Sequence, residues 1–222
     1  MENNARRLMK SLFNVDSRFM RIAERIYDLV ILNLLFLLTC LPIITIGCAK
    51  LSLYHVLLEM KQQQHLPIIS LYFGVLKKHW KNGLILGSIE LGITLICGID
   101  FFVLQQVQAT WATALKVLCI SLMILTTITF LYAYPLSIHM RFPTRELLKN
   151  AFMIAGLHFP KTFLMLGILV MLFFSLYLSS WSFLLGISLF LVIGCSGLGF
   201  LYMQQMEKIL GTYVNAQLDN NH

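Results

Sequence analysis

The stretch Leu29-Val30-Ile31-Leu32-Asn33-Leu34-Leu35-Phe36-Leu37-Leu38-Thr39-Cys40-Leu41-Pro42-Ile43-Ile44-Thr45-Ile46-Gly47-Cys48-Ala49-Lys50 and its continuation through His55 and Glu59 decides the fold. If it is one span followed by a loop, the chain crosses a membrane five times. If it is two arms, 27–41 and 48–63, bent between Pro42 and Gly47, the chain crosses six times. Proline removes a backbone donor and stops a helix, and glycine allows the tight backbone that follows. Non-helical backbone at membrane depth must be satisfied by protein, so Asn33 and Thr45 are expected to bond groups freed at the bend. The bend reads either as a kinked hairpin or as a site facing a substrate or partner.

Outside this stretch the solvent is plain. The 222 residues are 58% hydrophobic and 12% charged, against roughly 25% charged in soluble domains. Four further apolar runs, 84–106, 113–138, 162–180 and 182–206, are each long enough for the roughly 20 residues that a spanning helix needs. Cation placement then chooses between five and six spans. With six spans, one side holds six cations of the amino-terminal tail, four at 61–81, four at 141–161 and Lys208, while the other holds Lys50 and Lys116. With five spans and the amino terminus inside, the two basic loops change sides and the bias is reversed; with the amino terminus outside, the six cations of the tail are misplaced. The positive-inside rule therefore favours six spans with both termini cytoplasmic. Trp80, Trp111 and Trp181 all fall at span boundaries, where amphipathic rings settle.

The expected architecture is an all-α, multi-pass protein of the cell membrane. A cytoplasmic amphipathic segment, 1–28, precedes a single transmembrane domain, 29–222, made of hairpins 29–63, 84–138 and 162–206 and a short cytoplasmic tail. Elbow helices at 68–81 and 144–159, apolar on one side and basic on the other, are expected to lie in the interface plane. They belong to a repeat at an offset of 79 residues, in which Phe73-x5-His79-Trp80-Lys81 parallels Phe152-x5-His158-Phe159-Pro160. The net charge of +7 is accounted for by orientation, and no nucleic-acid partner is expected.

Polar groups at membrane depth are the candidates for function. Glu90 lies inside the span 84–106 and reads as an interfacial or inter-helix hydrogen bond fixing packing, as a partner for a cation from another helix, or as a proton or substrate site. Ten residues separate it from Asp100, about 15 Å along a helix, so the two do not form a carboxylate dyad. Lys50, His55 and Glu59 share the second arm, with His55 and Glu59 at i,i+4 spacing. Lys77, Lys78 and Lys81 make the first elbow basic. No HxxxH, HExxH, Gly-rich phosphate loop or GxSxG is present, the five cysteines lack CxxC spacing, and no metal, cofactor or catalytic group is expected. Gly194-x2-Gly197-x-Gly199 reads as close helix packing.

The block Asn33-Leu34-Leu35-Phe36-Leu37-Leu38-x2-Leu41-Pro42-Ile43-Ile44-Thr45-Ile46-Gly47, with Leu53-Tyr54, Phe73-x3-Lys77-Lys78-x2-Lys81-Asn82, Tyr132-x-Tyr134-Pro135-Leu136 and Leu147-Leu148-Lys149-Asn150-Ala151-Phe152, resembles the YesL-type family of small integral membrane proteins. The family is found mainly in Gram-positive bacteria, often encoded beside carbohydrate ABC importers. The resemblance implies a non-enzymatic membrane subunit whose partners, besides the lipid bilayer, are importer permease or ATPase subunits. The alternative is an autonomous small-solute or proton-coupled transporter. Where the family has small residues after the glycine, this chain has Cys48-Ala49-Lys50.

Overall fold

The computed structural model describes residues 2–63, 66–107, 109–139, 143–158, 160, 162–163, 167 and 180–206, with side chains from Met20 onward except at 180–182 and 185. All regular structure among them is helical. Helix α1 (Glu2–Cys40) leads through a short 3₁₀ turn (Ile43–Thr45) into α2 (Ile46–Gln62). Helices α3 (Ile68–Gln105), α4 (Thr110–His139) and α5 (Thr144–Leu157) follow. The closing helix comprises α6 (Ser180–Leu189), a π-helical segment (Phe190–Gly194) and residues 195–206.

Four helical stretches are long and apolar enough to cross a membrane: Ile43–Gln62, Ile68–Gln105, Thr110–His139 and Gly186–Met206. The second arm, expected over 48–63, is thus helical as far as Gln62 and, together with its 3₁₀ turn, of spanning length. The expected first arm belongs to a longer element. No Gly or Pro interrupts Glu2 to Cys40, so the amino-terminal segment and the arm form one 39-residue helix. Its apolar part, residues 29–40, is only about 18 Å long at about 1.5 Å per residue. Most of the expected span 162–180 lies outside the described residues, as do Arg141, Lys161, Lys208 and the tail, and the side chains of the amphipathic stretch 8–19.

Elbow and span are likewise one helix in α3. Its 38 residues would measure about 57 Å if straight, well beyond the roughly 30 Å of a bilayer core. The break comes at His79, whose backbone (φ −112°, ψ 16°) leaves the helical region. The second elbow, α5, ends at His158 with φ −107° and ψ 29°. These histidines are equivalent in the 79-residue repeat, so each elbow closes on the same backbone conformation. Burial repeats too: Ile68, Tyr72 and Val75 are buried like Leu147, Ala151 and Ile154, while Phe73 and Phe152 are exposed.

Helix α2 is the hub, in contact with α1, α3 and α4. Within its apolar window 56% of residues are buried inside the protein, against 17%, 17% and 22% for the other three stretches. Large apolar side chains such as Ile96, Ile99, Phe102, Leu118 and Leu189 point outward from those three. In lipid, apolar burial does not drive helices together, so close packing and inter-helix hydrogen bonds must hold this hub in place.

Candidate functional site

The hub is positioned by three glycines. A Cβ on Gly47 of α2 would overlap the Gly83 carbonyl oxygen and lie 2.5 Å from the Gly87 Cα. A Cβ on Gly87 would lie 2.8 Å from the Gly47 Cα, and one on Gly83 2.7 Å from the Cys48 Cα. The α2 and α3 backbones therefore touch, as in a small-xxx-small contact. Cys48 Sγ reaches the Trp80 carbonyl at 3.2 Å in the same crossing.

One turn beyond the contact on each helix, the crossing brings Lys50 to Glu90. Lys50 Nζ lies 2.6 Å from Glu90 Oε1. The Tyr134 hydroxyl of α4 donates to Glu90 Oε2 at 2.7 Å, and Lys50 Nζ sits 5.4 Å from the centre of the Tyr134 ring. Side-chain exposure is 31% for Lys50 and 17% for Glu90, so the pair is largely withdrawn from the surroundings. Tyr54 closes the cluster, its ring 6.4 Å from Tyr134 and 5.8 Å from Tyr202 of the closing helix. Both carboxylate oxygens of Glu90 are thereby engaged from two other helices.

His55 and Glu59 form the expected i,i+4 pair at 3.1 Å. The His55 ring also lies 6.2 Å from that of His79, the kink residue of α3. Among the described residues no three His, Cys, Asp or Glu side chains converge as a metal site. Lys77, Lys78 and Lys81 stand apart from the cluster, all exposed, with Lys81 Nζ 5.8 Å from the Trp80 ring. Asp100 is exposed near the end of α3.

Breaks in the helices are sealed by side chains. At the Pro42 bend, Thr45 Oγ1 bonds the Thr39 carbonyl at 2.6 Å and the Pro42 carbonyl at 2.7 Å. Thr45 thus acts as the sequence leads one to expect. Asn33 does not join it: fully buried, it turns to the π segment of the closing helix. Its Nδ2 donates to the Phe190 and Leu191 carbonyls (3.2 and 2.7 Å), and its Oδ1 accepts the Ser196 N–H (3.1 Å). The amide is inserted into the ladder between Leu191 and Ser196, one of the recognised causes of a helix irregularity. In α4, Pro135 leaves the Leu131 carbonyl without its usual intrahelical donor, and the Tyr202 hydroxyl bonds that oxygen at 2.7 Å.

The glycines of the closing helix divide. A Cβ on Gly199 would meet Leu57 of α2 at 2.8 Å, which is inter-helix packing as expected. The atoms nearest a Cβ on Gly194 or Gly197 belong to side chains of their own helix, Phe190 and Ile193.

Sequence reading missed the partners Tyr134, Ser196 and Tyr202, and Gly83 and Gly87. The Gly83-x3-Gly87 spacing was a usable signal. Nothing local marks Ser196 as the partner of a residue in the first helix.

Residues 29–101 match the family model described as "Protein of unknown function, DUF624". YesL-type proteins are in this family. No curated protein and no solved structure matches the chain. The matched segment contains the Pro42 bend, the glycine crossing and both members of the Lys50–Glu90 pair.

Proposed function

We propose that the protein is a non-enzymatic subunit of the cell membrane that associates with an ABC-type carbohydrate importer and stabilises or regulates its permease. The observation that carries this reading is the closure of the Lys50–Glu90–Tyr134 cluster. A proton-coupled carrier has to expose its carboxylate to a pathway, whereas both oxygens of Glu90 are committed to partners of the same chain. A carboxylate partnered from two other helices fixes how those helices meet, which suits a scaffold for other helices. The outward apolar faces of α3 and α4 offer such helices a surface. The importer as partner rests on the resemblance of the Pro42 block and the later motifs to YesL-type proteins.

In this reading α3 and α4 cross the membrane as a hairpin with the elbows on the cytoplasmic side. The six-span layout is not kept: the Pro42 bend, expected on the opposite side, lies level with the start of the span 84–106, where Gly47 meets Gly83, Cys48 Sγ reaches the Trp80 carbonyl and Lys50 pairs with Glu90. Support comes from the cation distribution and from the exposure of Lys77, Lys78 and Lys81 on the first elbow. Single cysteines replacing Lys78 and Lys116 should be labelled by an impermeant reagent from opposite sides; labelling from one side contradicts the topology. The test of function is affinity capture of the tagged full chain from native membranes in mild detergent. Permease or ATPase subunits of a carbohydrate importer should come with it. Capture of neither, together with pH-gradient-driven solute flux by the purified protein in liposomes, would establish the carrier reading instead.

A further inference from the structure

We infer that the elbow helices form a binding surface for anionic phospholipid headgroups, centred on Lys77, Lys78 and Lys81. The first elbow has three distinct sides. At about 100° per residue, the buried residues Ile68, Tyr72 and Val75 share one side, which faces the protein. Ile69 and Phe73, 55% and 44% exposed, lie next to it, about 100° to 140° around from Ile68. Lys77 and Lys78, both exposed, lie beyond them at about 180° and 280°. After the His79 kink, Trp80 and Lys81 are exposed as well, the ammonium 5.8 Å from the indole ring. One side is thus held by protein, the next is apolar and uncovered, and the third is cationic. An interfacial helix needs the second side for acyl chains and the third for headgroups.

The second elbow supplies an independent observation. Its buried side, Leu147, Ala151 and Ile154, matches the first elbow residue for residue at the offset of 79, and each elbow ends at a histidine of the same backbone conformation. The cations do not match in sequence: Arg145 and Lys149 correspond to Leu66 and Ser70. They nevertheless lie about 160° and 200° from Leu147, on the side where Lys77 lies relative to Ile68. The two copies therefore keep the cationic side while placing its residues differently. Packing does not require this, since that side is exposed in both copies. Orientation accounts for the sign of these charges, and a common anionic partner at the headgroup level accounts for their shared side, since clusters of Lys and Arg beside a span are what recognise anionic lipids. The first elbow is the stronger site, because 68–81 contains no acidic residue whereas α5 carries Glu146.

Trp80 lies within this surface and reports on it. The full chain, with Trp111→Phe and Trp181→Phe, is reconstituted in phosphatidylcholine vesicles containing equal fractions of brominated phosphatidylglycerol or brominated phosphatidylcholine. The proposal expects the anionic lipid to quench Trp80 with an apparent affinity about threefold or more above the zwitterionic one, and the preference to fall with added salt. Lys77→Gln, Lys78→Gln and Lys81→Gln together should abolish it. Should the triple variant fail to fold, the salt-dependent preference in the parent is itself decisive. Equal quenching by the two lipids, or the same preference at Trp111 as sole tryptophan, overturns the proposal.

Discussion

The crossing of α2 with α3 and the joint between α1 and the closing helix bury polar or backbone groups by opposite means. At the first, Gly47, Gly83 and Gly87 bring two backbones into contact and leave no space for a side chain. At the second, the Asn33 amide enters an opened helix and completes its ladder. A steric joint tolerates no added atom. A hydrogen-bonded joint tolerates a change of shape but not loss of the amide. In lipid, where burial gives helices no reason to associate, both are means of fixing a helix pair.

The largest effect is expected at the steric joint. Gly87→Val should destabilise the protein by about 3 kcal/mol or more, since its Cβ meets backbone rather than a movable side chain. Gly92→Ala in the same helix, where a Cβ meets nothing within 4 Å, should be neutral or stabilising by up to about 1 kcal/mol. Unfolding of the purified proteins in detergent compares the two; equal effects would mean the crossing is not tight.

Next comes the ion pair. Glu90→Leu strands Lys50, and because that side chain keeps 31% exposure the cost should be about 2 kcal/mol, below the range for fully buried pairs. Asn33→Leu follows at about 1–2 kcal/mol for the lost bonds to the π segment, and Tyr202→Phe at about 0.6 kcal/mol. Amide hydrogen exchange at Ser196 should rise in Asn33→Leu; unchanged exchange would show that the ladder closes without the amide. The smallest effect is at the elbow, where replacing Lys77, Lys78 and Lys81 by Gln should alter stability by no more than about 0.5 kcal/mol.

What could be read in advance follows the same division. The bend at Pro42, the Thr45 bonds and the His55–Glu59 pair are local, and residue type and spacing announce them. The pairing of Glu90 with a cation from another helix was foreseeable as a class, because an isolated charge at membrane depth is costly. Which cation it was followed from the glycine crossing, whose spacing stood in the sequence as Gly83-x3-Gly87. Merging of elbow and span into one helix was not legible, since a single non-helical residue, His79, makes the kink without a proline. The choice of the closing helix by Asn33 depends on tertiary placement alone.

In the proposed reading, the Lys50 and Glu90 charges serve packing within this chain. A double-mutant cycle on Lys50→Met and Glu90→Leu, read by unfolding in detergent, tests it most directly. Each single variant should be destabilised and the double variant should recover most of the loss, giving a coupling of about 1.5 kcal/mol or more. Additive losses in the double variant would contradict the account and leave Glu90 available for another role.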